Sequence, residues 1–584
     1  MPEREAIPSI AEVQALLTAA GAPFEMEELQ IRGVSTRCWK NALPSLREVL
    51  AASKVHGDAV FLVYEDERMS YAEHHRRVAG LAQMLRAEWG VQKGDRVAIA
   101  MRNYPEWPIA FWAAACAGAV VVPLNAWWQG GELEYGLSDS GAKLLFCDGE
   151  RARRLTPHLD GLAELSQLVV ARGDALPPGA VDFQAALDAA PRDDLLPELA
   201  LLPEDEATIF YTSGTTGRPK GALGTHRNIC GNLLSLAFTA ARGALRGGQP
   251  LPGAIAAASS RAGAPAARSE VQRAQLLSVP FFHVTGCHSV LCSSLSSGAK
   301  LVMMHKWDAE RALELIERER ITNFGGVPSM VWEVVEHPRF GEFDVSSVQG
   351  VGYGGAPAAP ELVRRIESAF PVSASSNGYG LTETSSVSTM NAGADYRRKP
   401  DSVGAPIAVC DVKIVRPDDG AGTALPVGEV GEVWIRGPNV VKGYWNKPEA
   451  SAEAIVGGWL RSGDLGRLDE EGFLYIVDRA KDMVIRGGEN VYCVEVESVL
   501  YDHPAVMDAA VIGLPHRVLG EEVGAVVALS PGRNADEAEL RKHAAAQLAS
   551  FKVPVRIEIR SEPLPRNANG KILKRQLKEE IAAG

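Results

Sequence analysis

The 584-residue sequence contains no CxxC pair, no GxxxxGK[ST] loop and no GxSxG turn. Each absence removes a class of function. The eight cysteines, at 38, 116, 147, 230, 287, 292, 410 and 493, lie mostly in apolar surroundings such as Ala115-Cys116-Ala117. Without paired spacing they read as reduced, buried thiols of a cytosolic protein. Cys287, His288 and Cys292 come nearest to a metal pattern. No second ligand pair follows them, so the stretch reads as a mostly apolar helix. The missing Walker spacing excludes a P-loop nucleotidase, and the missing elbow leaves an α/β-hydrolase triad without a nucleophile. Positive charge is also short. The formal net charge is −13, which makes a poor polyanion clamp and argues against nucleic acid as a main partner. The longest apolar run, Ile109 to Leu124, includes Gly118 and Pro123 and falls short of the roughly 20 residues of a membrane span. The opening MPEREAIPS is acidic and has no apolar core, so no secretory signal is expected. A cytoplasmic protein with no integral membrane segment is the expectation.

What is present is ample core material. Hydrophobic residues make up 46% of the chain, and its length suggests roughly three or four domain-sized units. Residues 1–45 read as an N-terminal extension with one short amphipathic helix near Ile10 to Leu17. From about 47 to 200, strand-like RVAIAM (96–101), AVVVPL (119–124) and KLLFCD (143–148) alternate with helical lengths, the pattern of a mostly parallel sheet. Residues 241–275 are rich in Ala, Gly, Pro, Arg and Ser and predict a flexible surface insertion. Alternation resumes to about Phe370. Short strands between Gly/Pro turns over 403–478 predict a β-rich subdomain. After DRAKD (478–482) a compact segment carries strands near AAVIGL and GAVVAL. The fold class is therefore α/β: a large N-terminal domain of mostly parallel sheets with a β-rich subdomain, over 46–480, and a small α+β C-terminal domain over 481–584.

The stretch YTSGTTGRPKG (211–221) is chemically unusual. Its glycines let backbone N–H groups converge, its hydroxyls add donors and Lys220 adds charge, a combination suited to polyphosphate oxygens. ATIFY (207–211) precedes the loop, and KGALG follows it before a helix capped near Thr225. The loop should therefore join two strands. GVGYGG (350–355) satisfies GxGxxG, but the following FPVSASSN lacks the carboxylate that a dinucleotide site needs.

YTSGTTGRPKG resembles the signature of the ANL adenylate-forming superfamily, which holds acyl-CoA synthetases, luciferases and peptide-synthetase adenylation domains. PFFHVTG (280–286), YGGAP (353–357), NGYGLTET (377–384), GEVWIRGPNVVKGYW (431–445), SGDLG (462–466), DRAKD (478–482), GGENV (487–491) and PRNANGK (565–571) follow in the family's order. The likeness covers roughly residues 47 to 584 and points to an AMP-forming acyl-CoA synthetase of the fatty-acid or aryl-acid type. One departure is small: Ser462 stands where Thr is more usual and keeps the hydroxyl.

The resemblance implies a role for each matching residue. Thr212, Ser213, Gly214, Thr215, Thr216, Gly217 and Lys220 would hold the β- and γ-phosphates of ATP. Thr382 would touch phosphate and Glu383 would ligate Mg²⁺. Tyr379 would stack on adenine, with Gly355, Ala356, Pro357, Asn377, Gly378 and Gly380 nearby. Asp464 would take the ribose hydroxyls, assisted by Arg479. Lys571 would bridge the α-phosphate and the attacking carboxylate, a task suited to a long-stemmed point charge. Lys481 occupies the hinge position about which the C-terminal domain rotates. Gly487 and Gly488 would then face the pantetheine tunnel of coenzyme A, and His283 would lie near its mouth.

The same likeness bears on the acid. Peptide-synthetase relatives anchor the substrate's amino group with an Asp in the region of PFFHVTG. No carboxylate lies between Pro280 and Leu295, and an unpaired buried ammonium would be costly. Val284, Gly286, Cys287, Gly325, Gly326 and Val327 are the expected acyl lining. They are small and apolar, so a fatty, aryl or arylalkanoic acid larger than acetate is expected. The chain runs to Gly584 without a fused carrier domain, which favours free coenzyme A as the acceptor. Loading of a separate acyl-carrier protein is the enzymatic rival, and luciferase-like oxygenation is a remote one. A catalytically silent nucleotide-binding partner would be expected to lack Lys571, Glu383 or Asp464, and all three are present. A homodimer is left open by the sequence.

Overall fold

The computed structural model describes residues 7–212, 218–251, 272–355, 360–417, 419–479, 481–487, 489–530, 532–567 and 570–583. Among these residues the architecture is α/β, with two large mostly parallel sheets, a smaller antiparallel sheet and a separate C-terminal sheet.

The first large sheet has eight strands. In spatial order they are Gly443–Tyr444, Lys220–Thr225, Glu206–Thr212, Val120–Pro123, Arg96–Ala100, Ala142–Asp148, Gln167–Ala171 and Val181–Asp182. Its central strands are buried on both faces, as Val120–Pro123 is throughout, which is why they read as unbroken apolar runs. Pairing is parallel from Glu206–Thr212 to Val181–Asp182 and antiparallel at the Lys220 edge. The second sheet has nine strands, with Gly350–Gly354 and Ala374–Tyr379 side by side and parallel.

Helix Glu106–Cys116 lies between the two sheets with every residue after Glu106 buried. That accounts for its lack of a polar face. Trp107 stacks on Phe281 with ring centroids 4.8 Å apart, and Asn103 Oδ1 accepts from Phe281 N at 3.0 Å. These contacts fix the start of the PFFHVTG segment. The β-rich unit is a five-stranded sheet that includes Asp411–Val415, Gly431–Arg436, Trp459–Leu468 and Leu474–Arg479. In the C-terminal unit the long hairpin Val506–His516/Gly520–Leu529 carries Arg556–Arg560 in parallel.

Two expectations need correction. The helix Ile10–Leu17 forms where expected, but residues 7–45 hold more than that one helix. The chain continues into a β-hairpin, Met26–Ile31 with Val34–Trp39, and Phe24 and Trp39 pack on Phe238 in a buried cluster. The supposed insertion at 241–275 is also drawn too wide. Its first residues complete the long helix His226–Arg246, where Arg242 and Arg246 are buried, and Arg246 Nε lies 2.6 Å from Asp395 Oδ2. Its last residues enter strand Ala274–Leu277. Composition misled because the Ala/Arg/Gly run packs against a neighbour that the local sequence does not reveal. Residues 252–271 lie outside the described residues.

The eight cysteines are buried and unpaired. Cys287 and Cys292 sit within one helical segment, Thr285–Cys292, wound as a π-helix. Among the described residues no helix is long and apolar enough to cross a membrane.

Candidate active site

The loop between Thr212 and Lys220 joins antiparallel strands, and these two residues are directly opposite in register. Thr225 caps the following helix through Asn228. Ser213, Gly214, Thr215, Thr216 and Gly217 lie outside the described residues, but the walls of their loop do not. Tyr211 donates to Asp139 Oδ2 at 2.8 Å, and Tyr135 donates to Pro219 O at 2.8 Å. Helix Gly130–Ser140 therefore braces both flanks. Thr212 and Lys220 open onto a cavity of about 1240 Å³.

That cavity gathers residues from many separate stretches of the chain. Strand Ala374–Tyr379 ends at it, and Thr382 and Glu383 line it just beyond. Glu383 is held by its neighbour in space, Tyr444, whose hydroxyl donates to Oε1 at 2.8 Å. Among the described residues Glu383 has no salt bridge. Its carboxylate thus keeps the oxygen donors that a hard cation prefers, in a wall that also carries the Thr382 hydroxyl.

Asp464 and Arg479 meet as register partners on adjacent antiparallel strands. Arg479 Nε lies 3.3 Å from Asp464 Oδ1, and the Tyr379 hydroxyl donates to Asp464 Oδ2 at 2.7 Å. Ser462 Oγ accepts from Asp464 N at 3.0 Å, so the serine performs the turn-closing bond itself. Burial and the adjacent Asp464 charge hold the Tyr379 phenol well above its ordinary range.

Lys571 reaches the same cavity from the C-terminal unit. Asn567 brackets it, donating N–H to Lys571 O at 2.9 Å and accepting Lys571 N at Oδ1 at 3.0 Å. Gly570, at φ +73°, turns the chain against Val327. Desolvation pushes the Lys571 ammonium down to about 8; Arg479 and Lys481 add to the fall, while Asp464 and Glu383 oppose it. Lys481 also lines the cavity, and burial lowers its pKa as well. Desolvation drives His283 down to about 3, helped by the Lys571 charge. At neutral pH its imidazole is uncharged and a poor proton acceptor.

The expected residues are not all brought together. Gly355, Gly378, Gly380, His283, Val284, Gly325, Gly326 and Val327 line the cavity. Gly286 and Cys287 do not. Gly286 is a glycine because a side chain would strike the Pro280 carbonyl, and Cys287 is fully buried in the core between the sheets. Asn377 is buried and turned the other way, toward the Tyr396 hydroxyl. Gly487 is exposed and does not line the cavity. Ala356, Pro357 and Gly488 lie outside the described residues. Gly325 and Gly380 are small for a further reason: a Cβ at either would collide with the backbone of Gly352 or Ser386.

Sequence reasoning missed two groups. Tyr444 sits inside a quoted motif, but its bond to Glu383 follows from strand pairing between Gly443–Tyr444 and Ala222–Leu223. Leu236, Thr239, Ala240 and Gly243 line the cavity from the long helix. Their i, i+3, i+4, i+7 spacing suits one helix face, but the composition around Gly243 reads as insertion. Strand Gly350–Gly354, with Gln349 and Ala374, also lines the cavity. At about 3.3 Å per residue that strand is on the order of 15 Å long.

Thr212 and Lys220, the Asp464–Arg479 pair and a lysine carried by the C-terminal unit thus share one cavity. Residues 50–445 match the AMP-binding enzyme family and residues 495–571 match the AMP-binding enzyme C-terminal domain. The chain belongs to the AMP-binding enzyme family. It is 37% identical over 516 residues to a feruloyl-CoA synthase of Amycolatopsis sp, covering 88% of this chain and 94% of that one. It is 36% identical over 525 residues to the long-chain-fatty-acid–CoA ligase FadD13 of Mycobacterium tuberculosis, covering 89% and 94%. Among solved structures, the anthranilate CoA ligase AuaEII in complex with anthranoyl-AMP matches with a TM-score of 0.81 and 26% identity, over 92% of this chain and 98% of that one.

Proposed function

We propose that this family member is an ATP-dependent acid–thiol ligase. It joins a hydrophobic carboxylic acid to the α-phosphate of ATP, releasing pyrophosphate, and then passes the acyl group to coenzyme A, releasing AMP. The observation that carries the reading is the position of Lys571. A lysine from the C-terminal unit stands in the cavity that Asp464 and Glu383 share. The named activities of the relatives, feruloyl-CoA synthase and long-chain-fatty-acid–CoA ligase, support the same reaction class.

The physical problem is repulsion between two anions that meet at phosphorus. Lys571 answers it with a preorganised cation in a desolvated cavity, where its charge is felt more strongly than in water. Thr212 and Lys220, with the loop between them, hold the outgoing phosphates. Asp464 and Arg479 fix the ribose, and the Tyr379 ring packs against the base. Glu383 and the Thr382 hydroxyl would hold Mg²⁺ together with the nucleotide; that ion would supply charge neutralisation of the phosphate oxygens. After pyrophosphate leaves, the thiol sulfur attacks the acyl carbon and AMP departs. Lys571 occupies the approach in the present arrangement, and Gly487 is outside the cavity. Rotation of the C-terminal unit about Lys481 exchanges them.

The acid is elongated or bulky. Strand Gly350–Gly354 and the Leu236, Thr239, Ala240 and Gly243 stripe of the long helix give the cavity more apolar wall than acetate requires. The absence of a carboxylate between Pro280 and Leu295 disfavours amino acids. Pyrophosphate release should be measured with acetate, a medium- and a long-chain fatty acid, a cinnamic-type aryl acid and an amino acid, each with and without coenzyme A. Release with the hydrophobic acids and thioester only with coenzyme A are expected. Amino-acid-dependent release, or thioester formation only on a carrier protein, contradicts the reading.

A further inference from the structure

We propose that Arg32, at the tip of the N-terminal hairpin, is a positioning residue for the cation-and-phosphate half of the site. The hairpin loop is two residues long, with Ile31 opposite Val34. Arg32 and Gly33 both have positive φ, +50° and +79°. Such loops favour Asn-Gly, and a long side chain at the first position is strained.

The guanidinium has a definite target. Nη1 donates to Val441 O at 2.8 Å and Nη2 to Val440 O at 3.1 Å. Asn228 Nδ2 is a second donor to Val440 O, at 3.0 Å. These carbonyls begin the segment that supports Glu383. Val441 N donates to Glu383 O at 3.0 Å, and three residues on, Tyr444 donates to Glu383 Oε1 at 2.8 Å. The rest of the segment is fixed by Lys442 N donating to Leu223 O and Trp445 N to Gly221 O, both 2.8 Å. There the Lys220 ammonium lies 5.3 Å from the centre of the Tyr444 ring. The guanidinium thus holds, at its leading end, the strand that orients the carboxylate and borders Lys220. The hairpin bearing it is anchored independently, by the Arg37–Asp411 ion pair and by Trp39 Nε1 donating to Ser235 Oγ at 2.9 Å.

This rests on the reading that Glu383 holds the cation that accompanies ATP, and the test separates the two. A nucleotide with a methylene group between its α- and β-phosphates is titrated calorimetrically into each variant, once with Mg²⁺ and once with chelator. The readout is the ratio of the two dissociation constants. Arg32→Ala is expected to lower the Mg²⁺ enhancement about 10-fold, as loss of an orienting partner of a metal ligand does. Arg32→Lys should restore part of it. Tyr444→Phe should resemble Arg32→Ala, and the double variant should fall no further, because both act through one carboxylate. Arg37→Ala, which loosens the hairpin elsewhere, should keep the wild-type ratio even if it melts earlier. A wild-type ratio in Arg32→Ala alongside a collapsed ratio in Glu383→Gln overturns the role of Arg32 alone. A wild-type ratio in Glu383→Gln overturns the reading of Glu383 and the role of Arg32 with it.

Discussion

The hydroxyl of Tyr379 donates to Asp464 Oδ2 at 2.7 Å, joining the end of a parallel strand in the second large sheet to the β-rich unit. The ring proposed to lie against the base and the carboxylate proposed to take the ribose are therefore one rigid element. Arg479 completes it from the other side of Asp464.

Removing that hydroxyl tests the coupling. Tyr379→Phe keeps the ring but frees one carboxylate oxygen. Hydrogen bonds to charged groups contribute about 1.5–3 kcal/mol, so KM for ATP should rise about 10-fold. The acid's KM should change little, while the melting temperature should fall by a few degrees because the bond exists without ligand. The steady-state constants and a thermal melt check this together.

The Lys571 pKa sets a pH dependence. Its ammonium is pushed down to about 8, and only the protonated form can bridge two anions. kcat/KM for the pyrophosphate-releasing step should therefore be full below that value and fall as pH rises through it, because this constant reports the free enzyme. Lys571→Arg should be slower at every pH yet show no such fall, since a guanidinium stays charged.

Gly570 controls delivery of that lysine. It has φ +73°, and a Cβ there would lie 2.6 Å from Val327 Cγ2. Gly570→Ala should slow adenylation about 100-fold, the scale of an ångström-sized misplacement. Thioester formation from supplied acyl-adenylate should be spared. Adding Val327→Ala should recover part of the loss, although the backbone strain persists.

The end of the long helix is structural. Arg246 and Asp395 are 4% and 7% exposed and paired. Arg246→Ala leaves the buried Asp395 carboxylate with only Arg398, 3.2 Å away, as a partner and should cost about 3 kcal/mol, the low end for breaking a buried pair, measured by urea unfolding. A deletion intended to remove only the 252–271 region must therefore spare residues 241–251 and 272 onward.

Much of this was legible in the chain. The buried strands at 96–100, 120–123 and 142–148 announce themselves because both faces are covered, and the hairpin around the phosphate loop is marked by glycine and proline. Asp464, Glu383 and Lys571 were found through motifs, since nothing in an isolated lysine reveals that it will be carried into a distant cavity. The failures share one cause. The hairpin at 26–39, the buried Arg246 and the Tyr396-facing Asn377 depend on partners more than a dozen residues away. Gly286 and Gly325 show the converse: a small side chain can mark a close backbone approach as readily as room for a ligand.

The most direct measurement compares the two half-reactions in Lys571→Ala. Acid-dependent pyrophosphate release should drop about 10²–10³-fold, the effect of losing a preorganised charge donor. Transfer from chemically supplied acyl-adenylate to coenzyme A should remain near the wild-type rate. Equal loss of both half-reactions, or retention of both, would contradict the assignment of this lysine to the adenylation step.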